Sequence, residues 1–126
     1  MIPEKSRNNG KFYTVTTTEN NRICSNVKLA SSFRSRLKGL MFTKSIDKDE
    51  GLYITPCTSI HMFFMKFSID AVFLDSNGVI LEIYHDLKPW RLSRLHVAAH
   101  GVLELHKGVA REYGLEKNTK LEFYQN

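Results

Sequence analysis

Cysteine is scarce. Cys24 and Cys57 are the whole complement, they share neither a CxxC spacing nor a Cys/His zinc pattern, and two thiols cannot make the disulfide framework of a small secreted scaffold. Two reduced thiols are the expectation. Long hydrophobic runs are missing too: none approaches the roughly 18 residues a membrane-crossing helix requires, and the first residues, M-I-P-E-K-S-R-N-N-G-K, lack the apolar centre of a secretory signal. A cytoplasmic protein is expected, although a chain from which an export signal had been removed would read the same way. Repeats and low-complexity tracts are absent. No complete catalytic or metal-binding signature is present, so no cofactor and no metal is indicated and the sequence names neither substrate nor reaction.

What is there reads as an ordinary folded chain. With 126 residues, 42% hydrophobic and 25% charged, it is the size of one domain and can bury about two-thirds of its unfolded surface. The net charge of +5 is uneven, since residues 1–46 carry nine Lys or Arg against two acids and residues 47–126 carry nine against eleven. The basic residues are spread out and not interleaved with stacking aromatics, so nucleic acid is not the expected partner; a solvated face is. The partner is left open between a small molecule and a protein, with a monomer expected.

Residues 1–10 are polar and end in Asn8-Asn9-Gly10, which predicts a disordered tail before a single β-rich domain at 11–126. Extended segments rich in β-branched and aromatic residues are expected at 11–18 and 23–29, joined by a polar turn, and again at 51–55, 69–74, 79–84, 101–105 and 120–124. Asp75-Ser76-Asn77-Gly78 is the clearest hairpin turn. Ser31 or Ser32 can cap a short helix in which Phe33, Leu37, Leu40 and Met41 recur at helical spacing and Arg34, Arg36 and Lys38 face outward, ended or bent by Gly39. A second short helix is expected over 107–113, closed by Gly114. About seven short strands and two short helices predict a mainly β, sandwich-like or barrel-like domain.

The stretch 56–75 organises the rest. Its middle, 60–67, is almost wholly large and apolar, as in a strand covered on both faces or a buried bend, yet the stretch carries Cys57, His61, Lys66, Asp70 and Asp75. Asp75 has a plain explanation as a turn residue accepting backbone hydrogen bonds. Asp70 lies between Ile69 and Ala71-Val72-Phe73-Leu74, so its carboxylate requires a Lys, an Arg or several backbone donors; a buried ion pair is the default reading.

These residues carry a resemblance. The chain resembles the bacterial and archaeal proteins grouped as domain of unknown function 192, also called uncharacterised protein family 0127. The likeness runs through Leu37-Lys38-Gly39-Leu40-Met41-Phe42, Gly51-Leu52, Cys57-Thr58-Ser59-Ile60-His61, Phe63-Phe64-Met65-Lys66-Phe67, Ile69-Asp70, Phe73-Leu74-Asp75, Gly78, Leu87-Lys88-Pro89-Trp90-Arg91, Val102-Leu103-Glu104-Leu105 and Gly108. It implies a β-rich, sandwich-like domain and brings no established activity or ligand. His96 and His100 fall outside its motif positions.

Cys57 with His61 could form a nucleophile and its base, but four residues of extended chain span about 13 Å, so only a bend or a helical turn after Pro56 would join them. The five histidines, His61, His85, His96, His100 and His106, do not make the dense His-and-carboxylate cluster a metal site requires. Glu104, between Leu103 and Leu105, can be turned outward by alternation. Trp90, in a Lys-Pro-Trp-Arg loop, is either a packing lid or a stacking platform, with packing favoured. The site candidates are thus Cys57, His61, Lys66, Asp70, Lys88, Trp90, Arg91 and Glu104. A small non-enzymatic ligand-binding or accessory domain is the first expectation. An enzyme using Asp70, Glu104 or His61 as acid or base, with Cys57 as nucleophile, is the second; a basic nucleic-acid-associated protein is the third.

Overall fold

Among the described residues seven strands form one mixed sheet: β1 (Phe12–Thr17), β2 (Arg22–Ala30), β3 (Glu50–Ile54), β4 (Ile69–Leu74), β5 (Ile80–Leu87), β6 (Gly101–His106) and β7 (Leu121–Gln125), with a one-turn helix, α1 (Val109–Glu112), between the last two strands. The computed structural model describes residues 12–32, 35–36, 39–41 and 43–126. The expected tail, Lys11 at the expected start of the first strand, and Phe33, Arg34, Leu37, Lys38 and Phe42 in or beside the first helix lie outside the described residues. Within them, Ser35 and Arg36 are helical, the Ser32 hydroxyl accepts from the Ser35 N–H at 3.1 Å, and Gly39 is left-handed with φ 50°. This is the serine cap and glycine stop expected there.

The strand order is β5-β4-β6-β3-β2-β1-β7. The β2–β3 pair is parallel and every other pair is antiparallel. The two ends of the sheet meet. Val79 bridges Lys120, Ile80 N–H donates to the Thr119 carbonyl at 2.8 Å, and Leu121 N–H donates to Gly78 at 2.9 Å. The mainly β, barrel-like architecture is therefore as expected, with the sheet curled until its edge strands touch at one end. Contact between edges at that end covers backbone groups that would otherwise template further pairing.

Both faces of the central strands are covered. On the inner face Val72, Leu74, Leu103 and Leu105 pack with Tyr13, Val15, Val27 and Tyr53, and with Val109 and Ala110 of α1. On the outer face Ala71, Phe73 and Val102 pack under Ile60, Met62 and Met65. Gly101 has no room for a side chain, because a Cβ there would sit 2.6 Å from the Tyr53 ring and 2.7 Å from the Ile54 carbonyl oxygen.

The apolar run at 60–67 is a bend and not a strand, and only part of it is buried. Ile60, Met62 and Met65 turn inward while His61, Phe63, Phe64 and Lys66 are exposed, so its hydrophobicity serves two surfaces. It is held by an irregular ribbon with the loop after β5: Met62 N–H donates to Arg91 and Trp90 N–H to Met62, both at 2.8 Å, and Ser93 N–H donates to Ile60 at 2.9 Å.

Candidate functional site

Asp70 is fully buried in β4. Its Oδ1 accepts the Asp86 N–H at 2.9 Å, and its Oδ2 accepts the N–H groups of Gly108 and Ala110, each at 3.0 Å. The default of a buried ion pair is corrected: the partners are three backbone donors. They belong to the end of β5 and the start of α1, so one side chain ties three elements together and satisfies donors that a helix start leaves open. Asp75 does the turn work expected of it, accepting from Asn77 at 2.8 Å and Val79 at 3.0 Å.

Glu104 faces the other way. In β6 it pairs across to Ala71 and Leu52, putting its side chain on the outer face, where the loop at 57–65 covers it. It is only 5% exposed, which overturns the outward placement suggested by strand alternation: this sheet has no wet face at that position. Among the described residues its Oε1 has no hydrogen-bond partner. Burial pushes its carboxyl up to about 8 from the ordinary 4.5, so at neutral pH it is mostly a neutral acid.

A cleft of about 70 Å³ opens beside Glu104. Its walls are Cys57, Ser59 and His61 on one loop, Ile54 and Met65 below, and Arg36 with Leu40 from the helical turn. The bend after Pro56 thus brings Cys57 and His61 to one cavity, as no extended strand would. They do not form a nucleophile–base pair. The Cys57 thiol donates to the Ser59 carbonyl at 3.0 Å, and His61 Nδ1 accepts the Phe63 N–H at 3.2 Å. Burial above all holds the Cys57 thiol above its ordinary pKa, with Glu104 adding to the shift and Arg36 opposing it. That is the reverse of an activated thiolate. Arg36, expected on a solvated helix face, instead turns in: it donates to the Pro56 carbonyl at 3.2 Å, and its Nε is buried without a partner among the described residues. Arg36 and Met65 were missed as site residues, and only proximity in space reveals them.

The remaining candidates lie elsewhere. Lys66, Lys88, Trp90 and Arg91 are exposed, and Lys88 pairs with Asp86 at 3.0 Å. Trp90 is no lid over the core. It is 59% exposed, and among the described residues its ring contacts are with the exposed Phe63, at 5.7 Å, and Phe64, at 5.1 Å between centroids. The histidines are scattered: His96 bonds the Tyr84 hydroxyl at 2.9 Å and packs on Phe73, while His106 is paired with the Lys107 carbonyl. Among the described residues no three of His, Cys, Asp or Glu gather closely enough to hold a metal ion, and no helix is long and apolar enough to cross a membrane.

The model of the DUF192 family, described as "Uncharacterized ACR", matches residues 14–123. The chain belongs to that family. Among its relatives, a UPF0127 protein of Pyrococcus horikoshii is 35% identical over 103 residues, covering 78% of this chain and 87% of that one. A second, from Pyrococcus furiosus, is 29% identical over 86% of this chain and 96% of its own length. Crystal structures of the same fold include a protein of unknown function from Novosphingobium aromaticivorans, with TM-score 0.75 and 24% identity over 87% of this chain and 82% of that one. A Sinorhizobium meliloti protein described as a candidate transcription regulator matches at TM-score 0.75 and 24% identity, over 88% of this chain and 91% of that one. These likenesses establish the DUF192 assignment and the fold, and supply no activity.

Proposed function

We propose that this DUF192 protein is a small ligand-binding domain whose site is the cleft over Glu104. The observation that carries the reading is the buried carboxyl with an unpartnered oxygen. A polar group taken out of water without a hydrogen bond costs stability, and a fold that keeps one beside an open cleft keeps it for an occupant. What Glu104 lacks is a donor. What Arg36 Nε lacks is an acceptor. A primary amide carries a donor and an acceptor of these kinds, and the walls of Leu40, Ile54, Ile60 and Met65 suit a short apolar tail. With about 70 Å³ of room, far below the ~300–1,000 Å³ that encloses a drug-sized molecule, the occupant is a small molecule or the small end of a larger one.

A second reading has its own support. A carboxyl held near pH 8 is poised to give up a proton, as a general acid must be. The two readings part on whether the bound molecule is changed.

The test is ligand-observed NMR with short aliphatic amides and amines against the wild-type protein and Glu104→Leu. Binding by the wild type that is lost in a variant at least as stable supports the site. A Glu104→Leu protein that is markedly destabilised would mean that the carboxyl has a structural job, and the reading would fail. Recovery of an altered ligand from the NMR sample would favour the enzyme.

A further inference from the structure

We infer that the ribbon formed by the loops at 58–67 and 88–97 is a docking surface for an anionic lipid bilayer. The first observation is apolar exposure concentrated on one structure. Phe63 and Phe64 project from one loop, and Trp90, Leu92, Leu95 and Val97 from the other, with the last four 59%, 64%, 67% and 81% exposed. Single exposed hydrophobes are ordinary, but here Phe63, Phe64 and Trp90 are in ring contact and Leu92, Leu95 and Val97 follow on the same cross-bonded loop, which concentrates apolar exposure on one ribbon. The two strands of the ribbon are tied at His61 and Leu92, and ring contacts run from His61 to Phe63 to Trp90 to Phe64. Phe64 and Trp90 hold their positions with φ of 62° and 69°, left-handed conformations that bulky residues rarely adopt.

Charge supplies the partner's chemistry. Residues 56–69 and 87–100 contain no Asp or Glu and four cations, Lys66, Lys88, Arg91 and Arg94. Lys88 is paired with Asp86; the other three form no ion pair among the described residues. A cleft of about 340 Å³ opens at the base of the ribbon between Lys66, Ser68, Pro89 and Lys107, and the Asp86 carboxylate lies beside its Ser68 and Lys107 walls, so the free charge of this surface rests on Lys66, Arg91 and Arg94. Large apolar side chains set among Lys66, Arg91 and Arg94 on loops without an acid match a bilayer whose headgroups are negative and whose interior is apolar. Single-stranded nucleic acid fits less well. Bases would use the rings, but they give nothing to Leu92, Leu95 and Val97, and the phenylalanines and Trp90 already face one another.

Trp90 is the sole tryptophan, so its fluorescence reports the contact directly. The full chain is mixed with vesicles of phosphatidylcholine containing about 30% phosphatidylglycerol, and with phosphatidylcholine alone, at low and high salt. The expected result is a shift of emission to shorter wavelength and co-sedimentation with the anionic vesicles only, weakened several-fold by salt. Arg91→Glu with Arg94→Glu, and separately Phe64→Ser with Leu95→Ser, are expected to weaken binding by about tenfold or more without changing the melting temperature, because all four residues are exposed. No shift and no sedimentation overturns the proposal. So does equal binding to both vesicle types, or capture of a single-stranded oligonucleotide in place of the vesicles.

Discussion

Two buried carboxyls on neighbouring strands face opposite sides of one sheet and have opposite circumstances. Asp70 on β4 points into the inner core and is saturated by three backbone N–H groups. Glu104 on β6, next to Ala71 in the adjacent register position, points under the outer loops and leaves Oε1 without a partner among the described residues. Burial is nearly the same; satisfaction is not. The comparison separates a group that holds the fold from one that the fold tolerates, and only the second lies beside a cleft.

The largest effect expected is from breaking the satisfied member. Asp70→Ala strands the three donors and should cost about 4–6 kcal/mol in a denaturant titration, enough to leave little folded protein, with Asp70→Asn about half as costly because one oxygen still accepts. A loss below about 1 kcal/mol for the alanine variant would show that water replaces the carboxylate at no cost.

Glu104 should respond to pH in the opposite sense to a salt-bridged acid. In the unfolded chain it ionises near 4.5 and in the fold near 8. Between those values the unfolded chain has released the proton that the folded chain keeps, so stability falls as pH rises across the window and levels off above it. The full contribution is on the order of 3–5 kcal/mol. Glu104→Gln should flatten this part of the profile, and Glu104→Leu should be more stable than wild type at pH 8 while losing the ligand. A variant profile that still falls over that window would assign the titration to another group.

Much of the frame was legible in the sequence. The bounds of β4, the Asp75 turn, the Ser32 cap and Gly114, left-handed with φ 62° just beyond α1, follow from local chemistry that acts over a few residues. The cleft follows from none of it, because Arg36, Cys57 and Glu104 meet only after the chain has crossed the sheet. The strand Val102-Leu103-Glu104-Leu105 was misread for a physical reason: alternation places Glu104 outside only where that face meets water, and here the loop at 57–65 covers it. The same loop reads as either a covered strand or a buried bend at 60–67, because residues for the core and residues for the exposed ribbon carry the same apolar signature. Asp70 announced that it needed partners without saying which, since backbone donors have no sequence signature.

The smallest effect expected belongs to Cys57, and it sharpens the comparison by using a thiol as a probe beside Glu104. Cys57→Ala should change stability by no more than about 1 kcal/mol, because the side chain is only half-buried and gives up one weak hydrogen bond. In the wild type at neutral pH, iodoacetamide should modify Cys57 more slowly than a free small-molecule thiol, and Cys24, whose thiol burial pushes up to about 11, only after unfolding. Above pH 8 Glu104 becomes charged and opposes formation of the thiolate, so Glu104→Gln should accelerate labelling of Cys57 there by about two- to threefold while leaving it unchanged at pH 6. Acceleration at both pH values would mean that the substitution had merely loosened the loop. Labelling of Cys57 faster than the free thiol would overturn its placement as a protonated wall residue and bring the nucleophile back into consideration.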